Sequence, residues 1–256
     1  MSSDRRRRLL VSWSGGKDSA LALAAIASEP DVSIVGLLTS ITRGYDRVSI
    51  HGVRRQLLEA QAEALRLPLT EILIEPECTN EAYEAAFLDA TKRACVRYGD
   101  VDGIVFGDLF LEDVRRYRER LLAGTGLAPL FPLWGEPTDV LAERCLSSGI
   151  EARLVCVDTT QLPGSFIGRA YDRALLADMP PGVDPCGERG EFHTFVSWAA
   201  GFGDRVAYSV GEVVSRGDRF VYCDLLPAAP KGVRPVAPHP EAGEATPQAA
   251  ILPLPR

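Results

Sequence analysis

Arg8-Leu9-Leu10-Val11-Ser12-Trp13-Ser14-Gly15-Gly16-Lys17-Asp18-Ser19-Ala20-Leu21-Ala22-Leu23 joins a short apolar run, a glycine pair flanked by hydroxyl residues, and an Ala/Leu-rich run that continues to Ala27. The order predicts strand, tight loop and helix. Lacking Cβ atoms, Gly15 and Gly16 let the backbone approach an anion closely, and the first N–H groups of the helix add partial positive charge there. Ser14 and Ser19 contribute hydroxyls, and Lys17 contributes a cation. The stretch therefore predicts a phosphate-holding turn in an α/β protein. Its spacing matches neither Gly-x-x-x-x-Gly-Lys-Ser/Thr nor Gly-x-Gly-x-x-Gly, so the two commonest nucleotide loops are excluded.

Working outward, short β-branched runs alternate with longer helical ones from residue 8 to about 158. Arg8 to Trp13, Val32 to Ser40, Leu69 to Glu75, Gly103 to Gly107 and Ala152 to Asp158 are expected strands. Ser19 to Ala27, Val53 to Leu67, Asn80 to Tyr98, Leu111 to Ala123 and Thr138 to Ser148 are expected helices. In the second helix Leu57, Leu58, Gln61, Ala62 and Leu65 form a mostly apolar stripe, with Arg54, Arg55, Glu59 and Glu63 outside it. Such alternation predicts an α/β fold, a Rossmann-like parallel sheet covered by helices on both faces, with ligands beyond the carboxyl ends of its strands. Residues 8–158 are expected to form this nucleotide-binding unit. After Asp158, prolines and glycines break the pattern, and a short helix around Arg169 to Ala177 precedes three short strands, Glu191 to Val196, Arg205 to Val214 and Arg219 to Leu225. Residues 159–226 are thus expected to be a small C-terminal substrate subdomain. Residues 227–256 carry eight prolines and little periodicity, predicting a flexible tail.

The chain has 256 residues, 46% hydrophobic and 25% charged, with a formal net charge of −7. This acidic balance argues against a general affinity for nucleic acid, which is bound mainly through surplus Lys and Arg. No stretch approaches the roughly 20 apolar residues that span a bilayer. Arg5 to Arg8 lack an apolar signal-peptide core behind them and read as a solvated strand start. The six cysteines are scattered without a Cys-x-x-Cys pair, as in a cytoplasmic protein with reduced thiols.

Three further clusters carry chemistry. Thr39 to Val53, with Thr42, Tyr45, Asp46, Arg47, His51 and Gly52, is longer than a strand-to-helix connection requires. His51 reads either as a helix-start or surface residue, or as a neighbour of adenine or substrate. Gly107-Asp108 closes the buried run Ile104-Val105-Phe106, where Asp108 either caps the next helix or faces a nucleotide or its metal. In Asp184-Pro-Cys186-Gly-Glu188-Arg-Gly-Glu191-Phe-His193-Thr194 a strand would put Glu191 and His193 on one face. The cluster reads as a turn feeding that strand, or as a holder of an amine, a proton or a magnesium-bound phosphate.

Ser14-Gly-Gly-Lys-Asp-Ser19 resembles the PP-loop of the ATP pyrophosphatases, which split ATP into AMP and pyrophosphate while activating a carboxyl or carbonyl oxygen. Taken with Gly107-Asp108, Pro132-Leu133-Trp134 and Cys186-Gly-Glu-x-Gly-Glu-Phe-His-Thr194, the chain from about residue 8 to about 200 resembles the diphthine–ammonia ligase family. The loop Thr42 to His51 and the entry His51-Gly52-Val53-Arg54-Arg55 resemble a bacterial-type branch of it.

The resemblance implies an adenine nucleotide alpha hydrolase-like fold with a smaller C-terminal portion, and an ATP-dependent, AMP-forming amidation of a carboxylate by ammonia. It implies that Ser14, Gly15, Gly16, Lys17, Asp18, Ser19, Gly107 and Asp108 bind ATP, that Asp18 holds Mg²⁺, and that Lys17, Asp18, Glu188, Glu191 and His193 are catalytic. Glu188 or Glu191 would keep ammonia neutral. Expected partners are ATP, ammonia and a carboxylate acceptor on a protein or small molecule, with a homodimer left open and no membrane. A ligase-like unit alone is expected, without a glutaminase region supplying ammonia. Two other readings share the loop: a PP-loop enzyme activating a tRNA base for sulfur or amine attack, and a non-catalytic ATP-binding regulator that moves the segment after Asp158. Acidic composition and unpaired cysteines count against the first, and the Lys17-Asp18 pair counts against the second.

Overall fold

A computed structural model describes residues 5–48 and 51–228 of the chain. Strand β1 (Arg7–Ser12) is the centre of a six-stranded sheet. On one side it pairs in parallel with β2 (Val32–Thr42), which pairs in turn with β4 (Leu69–Ile74). On the other side it pairs in parallel with β5 (Gly103–Val105), which pairs with β6 (Ala128–Leu130). Between these strands run α1 (Lys17–Ala27), α2 (Arg55–Leu65), α3 (Asn80–Tyr98) and α4 (Glu112–Leu122), and α5 (Thr138–Ser147) follows β6.

Period-two alternation sorts these strands onto two cores. Leu9, Val11, Leu37 and Val105 pack with residues of α1, α2 and α5, including Leu23, Leu57 and Leu141. Leu10, Leu38 and Ile104 pack on the opposite side with Phe87 and Ala90 of α3 and Tyr117 and Leu121 of α4. Helices therefore cover both faces of the sheet, as the alternating pattern predicts.

Strand β2 outruns β1. Its Val32 to Leu38 segment pairs with β1, and beyond the end of β1, Ile41 and Thr42 pair antiparallel with the two-residue β3 (Arg47–Val48). Because β4 occupies the other side of β2 over Leu37 to Thr42, β3 lies on the same side as β1, just past its carboxyl end. Arg47 and Val48 of the long connection are thereby laid beside the loop that leaves β1.

The expected fifth parallel strand is corrected by the structure. Strand β7 (Glu151–Asp158) belongs to a second, antiparallel sheet ordered β8-β7-β10-β9, with β8 (Phe192–Trp198), β9 (Tyr208–Arg216) and β10 (Phe220–Pro227). Strand β7, expected within the 8–158 unit, thus pairs with strands that follow residue 158. The place beside β5 is held by β6, an edge strand whose Pro129 lacks an N–H and which composition alone does not mark as β. A 3-10 turn at Gly164–Phe166 and α6 (Arg173–Asp178) connect β7 to β8. The flexible tail expected for 227–256 lies, from residue 229 on, outside the described residues. Arg5 and Arg7 pair with Asp102 and Glu29 around the start of β1, as expected of a solvated strand start. Among the described residues no helix is long and apolar enough to cross a membrane.

Candidate active site

The Ser14 to Ser19 loop emerges where β1 ends and α1 begins. Gly15 takes φ +78°, and a Cβ there would stand 2.8 Å from both Gln61 Oε1 and Leu58 Cδ1, so glycine is required on two counts. Gly16 is the N-cap of α1 with no side-chain cap, and a Cβ on it would stand 3.1 Å from the Thr194 carbonyl oxygen and 3.3 Å from His51 Cε1. Ser19 donates to the Gly16 carbonyl at 2.8 Å, and the Ser14 and Ser19 hydroxyls are 3.2 Å apart. Gly107 contributes by having no side chain: a Cβ would lie 3.0 Å from Asp18 C and Ser19 N. The first turn of α1 thus sits directly on the end of β5.

The second sheet completes this loop. The Val196 N–H donates to the Gly15 carbonyl at 2.9 Å, and the Lys17 N–H donates to the Thr194 hydroxyl at 3.1 Å. Gln61 of α2, fully buried, ties three elements: its Nε2 donates to the carbonyls of Gly15 (3.0 Å) and Val196 (2.6 Å), and its Oε1 accepts from Trp13 Nε1 (2.9 Å). Sequence reasoning placed Gln61 in the apolar stripe. The available signal was an amide inside that stripe, since a buried amide must find partners.

Lys17 is 2% exposed. Its Nζ donates to both Asp18 oxygens at 2.8 and 2.9 Å and to the Cys186 carbonyl, and lies 5.3 Å from the Tyr171 ring centroid and 5.4 Å from that of Phe192. Burial opposes the charge, but Asp18, Cys186 and Tyr171 together outweigh burial and hold the ammonium protonated. The amine thereby ties the Cys186 segment to the loop. Asp18 keeps 32% of its side chain exposed.

The Asp184 to Glu191 segment is stapled by its own carboxylates. Asp184 accepts from the N–H groups of Cys186 (3.0 Å) and Glu188 (3.2 Å). Glu191, 2% exposed, accepts from those of Asp184 (3.1 Å) and Arg189 (3.0 Å). Glu191 precedes β8 and spends both oxygens on the turn. Glu188 is different: one oxygen accepts from the Leu109 N–H at 2.8 Å, and burial, with Asp18 and Asp108 nearby, pushes its carboxyl up to about 8. Asp108 is drawn the other way, to Arg118 of α4 at 3.4 Å. The N-cap of α4 is Leu111, which corrects the capping reading of Asp108.

His193 of β8 and His51 stack with ring centroids 4.5 Å apart and planes 30° from parallel. Burial holds both imidazoles neutral, taking His51 down to about 4. The His51 loop is anchored by Asp224 of β10, which accepts from Arg47 Nη1 (2.8 Å) and Arg54 Nη2 (2.6 Å). Tyr222 packs against Gly52, where a Cβ would meet its ring at 2.9 Å. Neither Asp224 nor Tyr222 is visible as a site residue in sequence, since each stands in an ordinary β run.

A glycine-hydroxyl loop at the carboxyl edge of a parallel sheet, closed over by a buried lysine and a carboxylate-rich turn, defines a phosphate-handling α/β enzyme. The chain belongs to the diphthamide synthase family: the model described as the diphthamide synthase N-terminal domain matches residues 7–129, and that described as the C-terminal domain matches residues 137–221. It is 27% identical over 228 residues to the diphthine–ammonia ligase of Bos taurus, covering 81% of this chain and 85% of that one. It is 28% identical to the Danio rerio enzyme of that name, covering 80% and 88%, and 28% identical to the Homo sapiens one, covering 81% and 85%.

Proposed function

We propose that the chain uses ATP to adenylate a carboxylate, with release of pyrophosphate, and passes the activated acyl group to ammonia, the acceptor being carried by a protein or a small molecule. The observation that carries this reading is the double tie at Lys17, whose N–H meets Thr194 and whose Nζ meets the Cys186 carbonyl. It brings the glutamate-bearing turn onto the phosphate loop, so that activation and amine transfer share one site.

A carboxylate resists ammonia because oxide is a poor leaving group, and adenylation replaces it with AMP. Ser14, Gly15, Gly16 and Ser19 surround the pyrophosphate as it departs, with N–H and hydroxyl donors aimed where charge develops. Lys17 supplies a fixed positive charge beneath them and holds Asp18 in place. Asp18 suits a magnesium ion that arrives on phosphates, since such an ion takes one or two carboxylates and keeps phosphate and water oxygens. Among the described residues no group of three or more His, Cys, Asp or Glu could cage a metal unaided. Held by Asp18 together with the triphosphate, Mg²⁺ would supply positive charge to offset that of the leaving pyrophosphate. Glu188, poised near neutral pH, takes the proton that attacking ammonia sheds. Glu191 holds the turn that presents Glu188, and Gly107 admits the first turn of α1. The six described cysteines are free, which supports a reducing cytoplasm.

The test follows the α-phosphate of labelled ATP with Mg²⁺, ammonium and fractionated carboxylate acceptors. Labelled AMP that depends on both acceptor and ammonium is expected, falling on the order of 10²-fold or more in Asp18→Asn. Asparagine is the variant of choice, because its amide oxygen can still accept from Lys17 Nζ at nearly unchanged volume, whereas alanine removes both acceptors. ADP as product, or an Asp18→Asn enzyme with unchanged turnover, would overturn the assignment.

A further inference from the structure

We propose that His51 and His193 form an anion-coupled pair, neutral in the free protein, which takes up a proton when a polyphosphate fills the Ser14–Ser19 loop and then offers an imidazolium N–H to it. The inference rests on reading that loop as the phosphate site, and it adds His51 and a proton to the ligand's binding. The geometry comes first. The two rings are stacked at 4.5 Å, and His51 Cε1 stands 3.3 Å from where a Gly16 Cβ would be, so the pair borders the glycine backbone itself. His51 Nδ1 is buried and has no hydrogen-bond partner. A buried nitrogen without a partner is costly, and here it lies at the edge of a loop built for oxygen anions.

The electrostatics make the pair conditional. Burial disfavours charge on either ring, His51 disfavours charge on His193, and Lys17 of α1 repels both. The Thr194 carbonyl of β8 favours charge on His51. On the loop itself, the charges of Arg47 and Arg54 are met by Asp224 of β10, whose Tyr222 packs on Gly52. A polyphosphate reverses this balance. At an effective dielectric of about 20, one negative charge roughly 5 Å away raises an imidazole's pKa by about two, and a polyphosphate brings several. One ring then becomes charged, and the other remains neutral because two imidazolium ions cannot share so short a stack.

The experiment uses the whole chain, which contains three histidines. Their ring Cε1–H signals are assigned with His51→Gln, His193→Gln and His239→Gln, and titrated from pH 5 to 8 with and without saturating inorganic pyrophosphate. In the free protein the His51 and His193 signals are expected to stay flat above about pH 5.5. With pyrophosphate, one is expected to titrate with a midpoint above pH 6. In parallel, His51→Gln should weaken pyrophosphate binding about tenfold at pH 6.5 and less at pH 8. Pyrophosphate that moves the Gly15 to Lys17 amide signals but leaves both histidine titrations unchanged would sink the pair and spare the loop. Pyrophosphate that moves none of those amides would sink both. Neither readout needs turnover, so a failure of the ligase reading is seen separately in the AMP assay.

Discussion

Gln61 Nε2 stands 3.0 Å from the Gly15 carbonyl oxygen, so the backbone of the phosphate loop is held from beneath by a helix that begins 38 residues after the loop closes at Lys17. The same amide nitrogen reaches Val196 of the second sheet.

Replacing Gln61 by Leu keeps the volume but leaves the Trp13 indole N–H unmatched and takes the amide donor from the Val196 and Gly15 carbonyls, the latter keeping its bond from the Val196 N–H. Each unmatched buried group costs about 1–3 kcal/mol, so a loss on the order of 2–4 kcal/mol is expected once local relaxation is allowed for. The urea midpoint measures it, and an unchanged midpoint would show that the three contacts carry no net stability.

Gly107→Ala tests how the nucleotide site depends on close packing. The added methyl meets the backbone of Asp18 and Ser19 at 3.0 Å, and the start of α1 must move to admit it. A displacement of catalytic groups approaching 1 Å costs on the order of 10²-fold in rate. AMP formation should fall by that order while circular dichroism stays native, and a variant with full turnover would mean that α1 has slack.

Glu188 gives a pH signature. Its carboxyl is raised from 4.5 to about 8 by burial and by Asp18 and Asp108, so between those values the folded chain binds more protons than the unfolded one. Its contribution to stability is therefore fully present below about 4.5 and is lost as pH rises through about 8. In Glu188→Gln the stability-against-pH curve should be flatter over that window, relative to the unmodified chain. Two parallel curves would place the ordinary pKa on Glu188. The acidic-side limb of the AMP-forming rate should disappear with the same substitution.

Sequence legibility followed local chemistry. Ser14 to Ser19 could be read because glycine pairs and helix starts are encoded in adjacent residues. Helices such as α2 and α3 could be read from their apolar periodicity. β7 was misassigned because its apolar run, Ala152 to Asp158, suits a parallel or an antiparallel neighbour equally, and only pairing with β8 and β10 decides. Glu188 and Glu191 look interchangeable in the motif. What separates them is burial and partner: Glu191 meets two amides of its own turn, and Glu188 meets Leu109 from the other sheet's unit. Thr194 lay inside the quoted cluster without a role, since its meeting with Lys17 spans 177 positions. The Asp224 anchor was invisible for the same reason.

The tie between Lys17 and Thr194 has a consequence for how the protein is made. Synthesis runs from the N terminus, and early segments fold before late ones are available. The glycine loop leaves the ribosome well ahead of the strand that fixes Gly15 and caps Lys17, whose Thr194 is translated 177 residues after the lysine it meets. A nascent chain halted anywhere before β8 carries the whole nucleotide signature in its sequence and lacks the framework that sets its shape. The shape of the loop is thus completed late, with the second sheet.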